Sequence, residues 1–196
     1  MTAKILVTGG TGFIGSEIVK QLSAHDEYEI RVLDALTKQI HGNNPEKSYL
    51  FQSIKDCCDF IRGDVRDFTT VQKALEGVDV VLHLAAETGT GQSMYMINQY
   101  NEVNVMGLSN IFQALSLKGE SNTIRKVILS SSRSVYGEGE YQCPNCGVVY
   151  PRGRKTKDMM QGDFTMHCDK CNTALTLMPT TEDSKTTPNS LYAFTK

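Results

Sequence analysis

The sequence has no surplus of charge of either sign: 20 basic residues stand against 22 acidic ones, for a formal net charge of -2. That balance argues against a polyanionic partner or a membrane surface and leaves charge silent on function. It also has no long apolar run. Stretches such as "VDVVLHLAA" fall far short of the ~20 residues that a membrane span takes. The first apolar strand begins at Lys4, leaving no room for a leader, so a cytoplasmic address and no membrane partner are expected. Nor are the cysteines scattered. Of six, Cys143 and Cys146 form one CxxC, Cys168 and Cys171 a second, and Cys57 and Cys58 are neighbours. In a reducing compartment paired CxxC motifs suit a metal better than a disulfide framework. Cys57 and Cys58 read as packing residues.

What is present is an alternation. "KILVTG", "YEIRVLD", "CDFIRGDV", "DVVLHLAA" and "KVILSSS" are short β-branched runs, and helical stretches separate them. Helices are expected from about Gly12 to Ala24, in "FTTVQKALEGV" and from about Tyr95 to Leu117, with a surface loop at "HGNNPEKS". Five strands joined by helices predict an α/β fold with a doubly wound parallel sheet of Rossmann type. The pattern fails between about Glu138 and Thr180, where the paired cysteines lie. The expected organisation is a dinucleotide-binding domain over 1–137, a cysteine-rich insertion over 138–180, and a return to the first domain over 181–196.

"VTGGTGFIG" joins the first strand to the first helix and spaces Gly9, Gly12 and Gly15 by three. A tight turn, close approach of backbone to a pyrophosphate and close helix-to-strand packing each need a residue without a side chain, and the helix N-terminus then faces the phosphates. The second strand ends in Asp34, 19 residues beyond Gly15, where a carboxylate accepts the adenosine ribose hydroxyls. Such a carboxylate repels a 2′-phosphate, so NAD is expected over NADP.

"LSSSRSVYG" follows the fifth strand, at the end of the sheet where ligands bind, and the chain closes on "SLYAFTK". The latter places Tyr192 and Lys196 four residues apart on one helix face. A serine, a tyrosine and a lysine together can move a proton on or off a sugar or alcohol oxygen while NAD takes the hydride. A free phenol near pKa 10 is too weak a base at neutral pH, but a nearby ammonium and a cationic nicotinamide favour the phenolate. In the insertion, 21 residues separate Cys146 from Cys168. Two such knuckles let Cys143, Cys146, Cys168 and Cys171 converge on one structural zinc, a zinc-ribbon-like arrangement with no open position, although His167 can compete as a ligand; the alternative is a ribbon that keeps the cysteines but has lost or exchanged its metal. "PRGRKTK" places Arg152, Arg154, Lys155 and Lys157 in the same insertion. No aromatic stacking series accompanies them, so a solvated face is expected and no nucleic-acid partner.

The motifs "TGGTGFIG", "RGDVRD", "HLAA", "NVMG", "SSSRSVYG" and "YAFTK" together resemble the extended short-chain dehydrogenase/reductase family, specifically its NAD-dependent nucleotide-sugar epimerases and dehydratases. The resemblance implies Ser132 as the catalytic serine, Tyr192 as acid/base, and Lys196 as the residue that tunes it and holds the nicotinamide ribose. It places Phe13 and Ile14 at the pyrophosphate through their backbone, Asp64 and Val65 at the adenine, and Leu84, Ala85 and Ala86 along the cofactor. Asn104 is implied either as structural support or in a proton relay. The insertion, with "GEGEYQCPNCG" and "GQSMY", is similar to the dTDP-L-rhamnose 4-epimerase branch and implies Gln92 and Ser93 near the sugar. The expected activity is 4-epimerisation of a nucleotide sugar, a dTDP-6-deoxyhexose, through a 4-keto sugar. The alternatives are another NAD-dependent dehydratase or reductase, or a non-catalytic NAD-binding or zinc-ribbon interaction protein. The family implies a homodimer for a full-length parent. It also implies a longer Tyr192–Lys196 helix and a C-terminal region over the sugar, so poor turnover is expected of the 196-residue form.

Overall fold

A computed structural model describes residues 2–196. The first elements are β1 (Ala3–Thr8), α1 (Phe13–Ser23), β2 (Tyr28–Asp34), α2 (Lys38–His41), α3 (Tyr49–Gln52), β3 (Asp59–Arg62), α4 (Phe68–Ala74) and β4 (Val80–His83). There follow α5 (Thr90–Ser93), α6 (Ile97–Tyr100), a π-helical stretch Asn101–Met106, α7 (Gly107–Lys118) and β5 (Lys126–Leu129). The last are β6 (Tyr141–Cys143), β7 (Gly147–Val149), α8 (Thr156–Met160), β8 (Thr176–Leu177) and α9 (Leu191–Phe194). The chain divides into two compact units, one of residues 2–88 and 96–130, the other of 89–95 and 131–196.

The first unit is a five-stranded sheet in the order β3-β2-β1-β4-β5, parallel throughout. Alternation along a strand sends neighbours to opposite faces, and here both faces are buried. Leu6, Leu33 and Val81 pack with Val71, Leu75 and Ile111 on one side, while Ile5, Val7, Ile30 and Val32 pack with Val19 and Ile54 on the other. A strand buried on both faces needs helices on both, which is the doubly wound arrangement expected from the sequence. Each fully buried Leu, Ile or Val stabilises the fold by about 1.5–3 kcal/mol relative to exposure. Cys58 packs against the second cluster, and burial first, then Cys57 and Asp59, push its thiol up to about 12. Cys57 is exposed, so only one of the pair packs as expected.

Two local expectations are corrected. The "HGNNPEKS" region is not simply loop: α2 ends at its first residue, a short 3-10 turn covers Pro45–Lys47, and α3 follows. The long helix is interrupted by the π-helical Asn101–Met106. Within that stretch the Asn104 amide is turned to the chain at Glu87: Glu87 N–H donates to Asn104 Oδ1 at 2.8 Å and Asn104 Nδ2 donates to the Glu87 carbonyl at 3.2 Å.

The second unit carries a three-stranded antiparallel sheet, β7-β6-β8, with α8 in the long connection. Glu140 organises it, accepting the Tyr150 hydroxyl at 2.8 Å and the Ser184 hydroxyl at 2.9 Å on Oε2. Among the described residues no helix is long and apolar enough to cross a membrane.

Candidate active site

In the first unit β1 ends at Thr8 and the chain turns at Gly9 with φ +70°. A Cβ on Gly9 would lie 2.7 Å from the Ala85 nitrogen, and one on Gly15 would lie 2.3 Å from the Gly9 carbonyl oxygen. Neither backbone approach leaves room for a side chain. Gly12 is the N-cap of α1, with no side-chain cap and no acidic residue in the first turn. Its N–H donates to the Gly9 carbonyl at 3.1 Å and its carbonyl accepts the Ser16 N–H at 2.9 Å. The amides of Phe13 and Ile14, on exposed residues, thus stand at the positive end of an 11-residue helix, a fitting cradle for a pyrophosphate.

Asp34 lies at the carboxyl end of β2 and is oriented by the backbone. Its Oδ2 accepts the Thr11 N–H at 3.0 Å and its Oδ1 accepts the Leu36 N–H at 2.9 Å. One bond to each oxygen leaves further acceptor capacity for a ribose diol. Spacing revealed Asp34 but not its support. Thr11, fully buried, has its hydroxyl 3.0 Å from His41 Nε2, and His41 Nδ1 lies 2.8 Å from Ser48 Oγ. His41 is buried, and burial holds its imidazole below the ordinary range against the opposing pull of Asp34. Leu36 takes φ 53°, an uncommon conformation for a branched side chain.

The strand order reverses between β1 and β4, the position at which such sheets bind ligands. Thr8 Oγ1 lies 2.7 Å from the buried His83 Nδ1 and accepts the Ala85 N–H at 3.3 Å, which fixes the path of Leu84, Ala85 and Ala86 beside Gly9. Val65 is buried in the core and Asp64 pairs with Arg66 at 2.7 Å. Burial raises the Asp64 carboxyl, but the bonds from Arg66 outweigh it and hold it below the usual carboxylate range.

In the second unit α9, which carries Tyr192, packs on the 3-10 turn Arg133–Tyr136; α9 ends at Phe194 with Thr195 as its C-cap, so Lys196 follows the helix instead of sharing a helix face with Tyr192 as expected. Ser132 is the N-cap of that turn: its Oγ accepts the Ser134 N–H at 3.1 Å and lies 3.1 Å from Ser134 Oγ. Ser131 Oγ donates to the Lys196 carbonyl at 3.0 Å. The Lys196 side chain is half-buried, and that desolvation holds its ammonium below the ordinary lysine range. Gly137 follows with φ +63°, and a Cβ there would meet the Thr187 carbonyl oxygen at 2.2 Å. Thr187 N–H donates to the Val135 carbonyl at 2.9 Å, which draws the segment before α9 back to the serine turn. Ser93, expected at the sugar, is instead fully buried, with its hydroxyl committed to Thr90 and Tyr192.

The four sulfurs of Cys143, Cys146, Cys168 and Cys171 lie within 4.8 Å of one another, with Cys143 and Cys171 at 3.5 Å. A tetrahedral zinc with Zn–S near 2.3 Å sets its sulfurs about 3.8 Å apart, so the cluster fits that ion. Cys143 and Cys168 are buried, and the hydroxyl and N–H of Thr173 draw the Cys171 thiol down to about 6. Among the described residues His167 is not part of the cluster; its backbone pairs with Ala174 instead.

A glycine cradle, an open helix N-terminus and a backbone-oriented carboxylate at the strand-order reversal define a dinucleotide-binding α/β protein. More particularly, the chain belongs to the NAD dependent epimerase/dehydratase family, whose pattern matches residues 5–153. It is 35% identical over 198 residues to a dTDP-L-rhamnose 4-epimerase of Burkholderia thailandensis, a match covering 98% of this chain and 50% of that protein. A UDP-glucuronic acid 4-epimerase of Bacillus cereus, solved with UDP-glucuronic acid and NAD, superposes with a TM-score of 0.69 at 26% identity, over 98% of this chain and 48% of that one. A double mutant of the dTDP-glucose 4,6-dehydratase of Streptomyces venezuelae, solved with NAD, gives 0.66 at 28% identity, over 97% and 47%. The chain thus spans about half the length of these relatives.

Proposed function

We propose that this chain is the NAD-binding and proton-transferring part of a nucleotide-sugar 4-epimerase, acting on a dTDP-6-deoxyhexose through a 4-keto sugar. The observation that carries the reading is the similarity to a dTDP-L-rhamnose 4-epimerase over 98% of the chain, a span that includes the cysteine-rich insertion. Bound NAD supplies a reversible two-electron oxidant for the sugar C4. Gly9, Gly12 and Gly15 with the Phe13 and Ile14 amides hold its pyrophosphate, Asp34 its adenosine ribose, Asp64 and Val65 its adenine, and Leu84 to Ala86 its length. Tyr192 takes the proton of the 4-hydroxyl and later returns it. Ser132 hydrogen-bonds the same oxygen, and Lys196 favours the phenolate while donating to the nicotinamide ribose. A structural zinc on the four cysteines would order the insertion, whose short strands have little core of their own.

Dehydration across C5 and C6 needs a further acid/base pair, placed in this family beside the catalytic serine. The neighbours of Ser132 here are Ser131 and Arg133, neither of them an acid. Incubation with dTDP- and UDP-sugars, followed by NMR at the sugar C4, tests the proposal. Interconversion of C4 epimers, abolished by Tyr192→Phe with NAD binding retained, is the expected result. Loss of water to a 4-keto-6-deoxy sugar would overturn it in favour of a dehydratase.

A further inference from the structure

Ser93 is fully buried at the end of α5, yet its hydroxyl makes two bonds that a sugar ligand would need. It donates to the Thr90 carbonyl at 2.6 Å and accepts the Tyr192 backbone N–H at 3.0 Å. The first amides of a helix have no partner within it, and in α9 two of them are met differently. The Ala193 N–H goes to its own N-cap, Ser190 Oγ, at 3.1 Å. The Tyr192 N–H goes to a residue 99 positions away in sequence. At its other end the Tyr192 carbonyl accepts the Thr195 hydroxyl at 2.9 Å and the Thr195 N–H at 3.1 Å. The peptide groups on both sides of the Tyr192 Cα are therefore tied.

We propose that Ser93 is a positioning residue for Tyr192: it fixes the backbone from which the phenol projects, and does not touch the sugar. This rests on the reading of Tyr192 as the acid/base. The phenolic oxygen stands at the end of a long lever, so a backbone tilt on the order of 10° carries it by about 1 Å, a misplacement that costs on the order of 100-fold in rate. Ser190 alone caps the helix but leaves that tilt free, because it holds the following residue's amide rather than that of Tyr192. A serine suits the position because one small hydroxyl can donate and accept at once.

The test is Ser93→Ala in an epimerising form of the protein, read as kcat, KM and NAD affinity, with amide hydrogen exchange at Tyr192 measured in the 196-residue chain. The expected result is a kcat lower by about 10-fold or more, with KM for the sugar nucleotide within about twofold and NAD affinity unchanged. Exchange at Tyr192 should accelerate while that of Ala193, held by Ser190, does not. Ser93→Cys keeps the shape but accepts weakly, and should fall between the two; if Ser93→Ala does not fold, this variant carries the test. An unchanged kcat and unchanged Tyr192 exchange in either variant overturns the proposal, as does a raised KM at constant kcat, the mark of a sugar ligand. Retained turnover in Tyr192→Phe would instead overturn the acid/base reading, whatever Ser93→Ala does to exchange.

Discussion

Replacing Gly15 and Gly12 by alanine, one at a time, separates two duties within one turn. At Gly15 the new methyl would lie 2.3 Å from the Gly9 oxygen and 2.7 Å from the Gly10 Cα, and ordinary contact begins near 3.4 Å. Both neighbours are backbone, so the turn must open by about 1 Å, and overpacking of this kind costs about 1–3 kcal/mol. Better helix propensity returns up to about 1 kcal/mol, and a chain of this size loses about 2–4 °C of melting temperature per kcal/mol. The apo protein with Gly15→Ala should therefore melt several degrees lower. At Gly12 the nearest atom is the Gly9 oxygen at 3.3 Å, and φ -72°, ψ 177° is open to any residue. The apo fold should lose less than about 1 kcal/mol. The methyl instead stands where a pyrophosphate approaches the helix end, so NAD affinity should fall at least tenfold, about 1.4 kcal/mol. Thermal unfolding by far-UV circular dichroism and calorimetric titration with NAD read the two effects. Equal melting losses, or wild-type NAD affinity in Gly12→Ala, would refute the division of labour.

Asp34→Ala should narrow the preference for NAD over NADP, measured by titration of both, because a carboxylate held by two amides no longer opposes the 2′-phosphate; an unaltered ratio would place the ribose elsewhere. Elemental analysis should find one zinc per chain, and Cys168→Ser should lose it and loosen the insertion while leaving the first unit folded, as seen by hydrogen exchange; an ordered ribbon free of metal contradicts this. His41 is held below its ordinary pKa by burial, so the unfolded chain protonates first on acidification. Its contribution to stability is complete above the unfolded value of about 6.5 and is lost as pH falls toward the folded one. His41→Gln should flatten that slope in denaturant titrations across the same range, and an unchanged slope would assign the acid sensitivity to other groups.

What was legible in the sequence was what covalent spacing or strand alternation writes directly. Ile5, Leu6 and Val7 are all buried, as a strand in a sheet covered on both faces requires, and the alternation of five such runs with helical stretches implied the doubly wound form. The glycine spacing and Asp34 were readable because a turn between strand and helix has few solutions. The paired CxxC motifs were readable because four sulfurs on two short knuckles have one natural convergence. The residues that support these groups were not readable. Thr11, His41 and Ser48 meet only after the connection from β2 to β3 has folded, and no period links them. Asn104 was implied by the resemblance, but its partner, the Glu87 peptide group, is a distant one that helical propensity does not encode.

Ser93 shows why such residues are misread. The resemblance of "GQSMY" to the dTDP-L-rhamnose 4-epimerase branch implied a place near the sugar, and a serine there is chemically suited to a hydroxyl. Burial reverses the inference. A hydroxyl fully removed from solvent and bonded to Thr90 and Tyr192 has its donor and one lone pair committed, and a ligand that took the place of Tyr192 on that lone pair would strand the Tyr192 amide. A buried donor left unpaired costs about 1–3 kcal/mol, more than the about 0.5–1.5 kcal/mol net that a single new sugar hydrogen bond returns. The balance therefore favours the closed arrangement, in which the residue that looks like a ligand instead governs where Tyr192 stands.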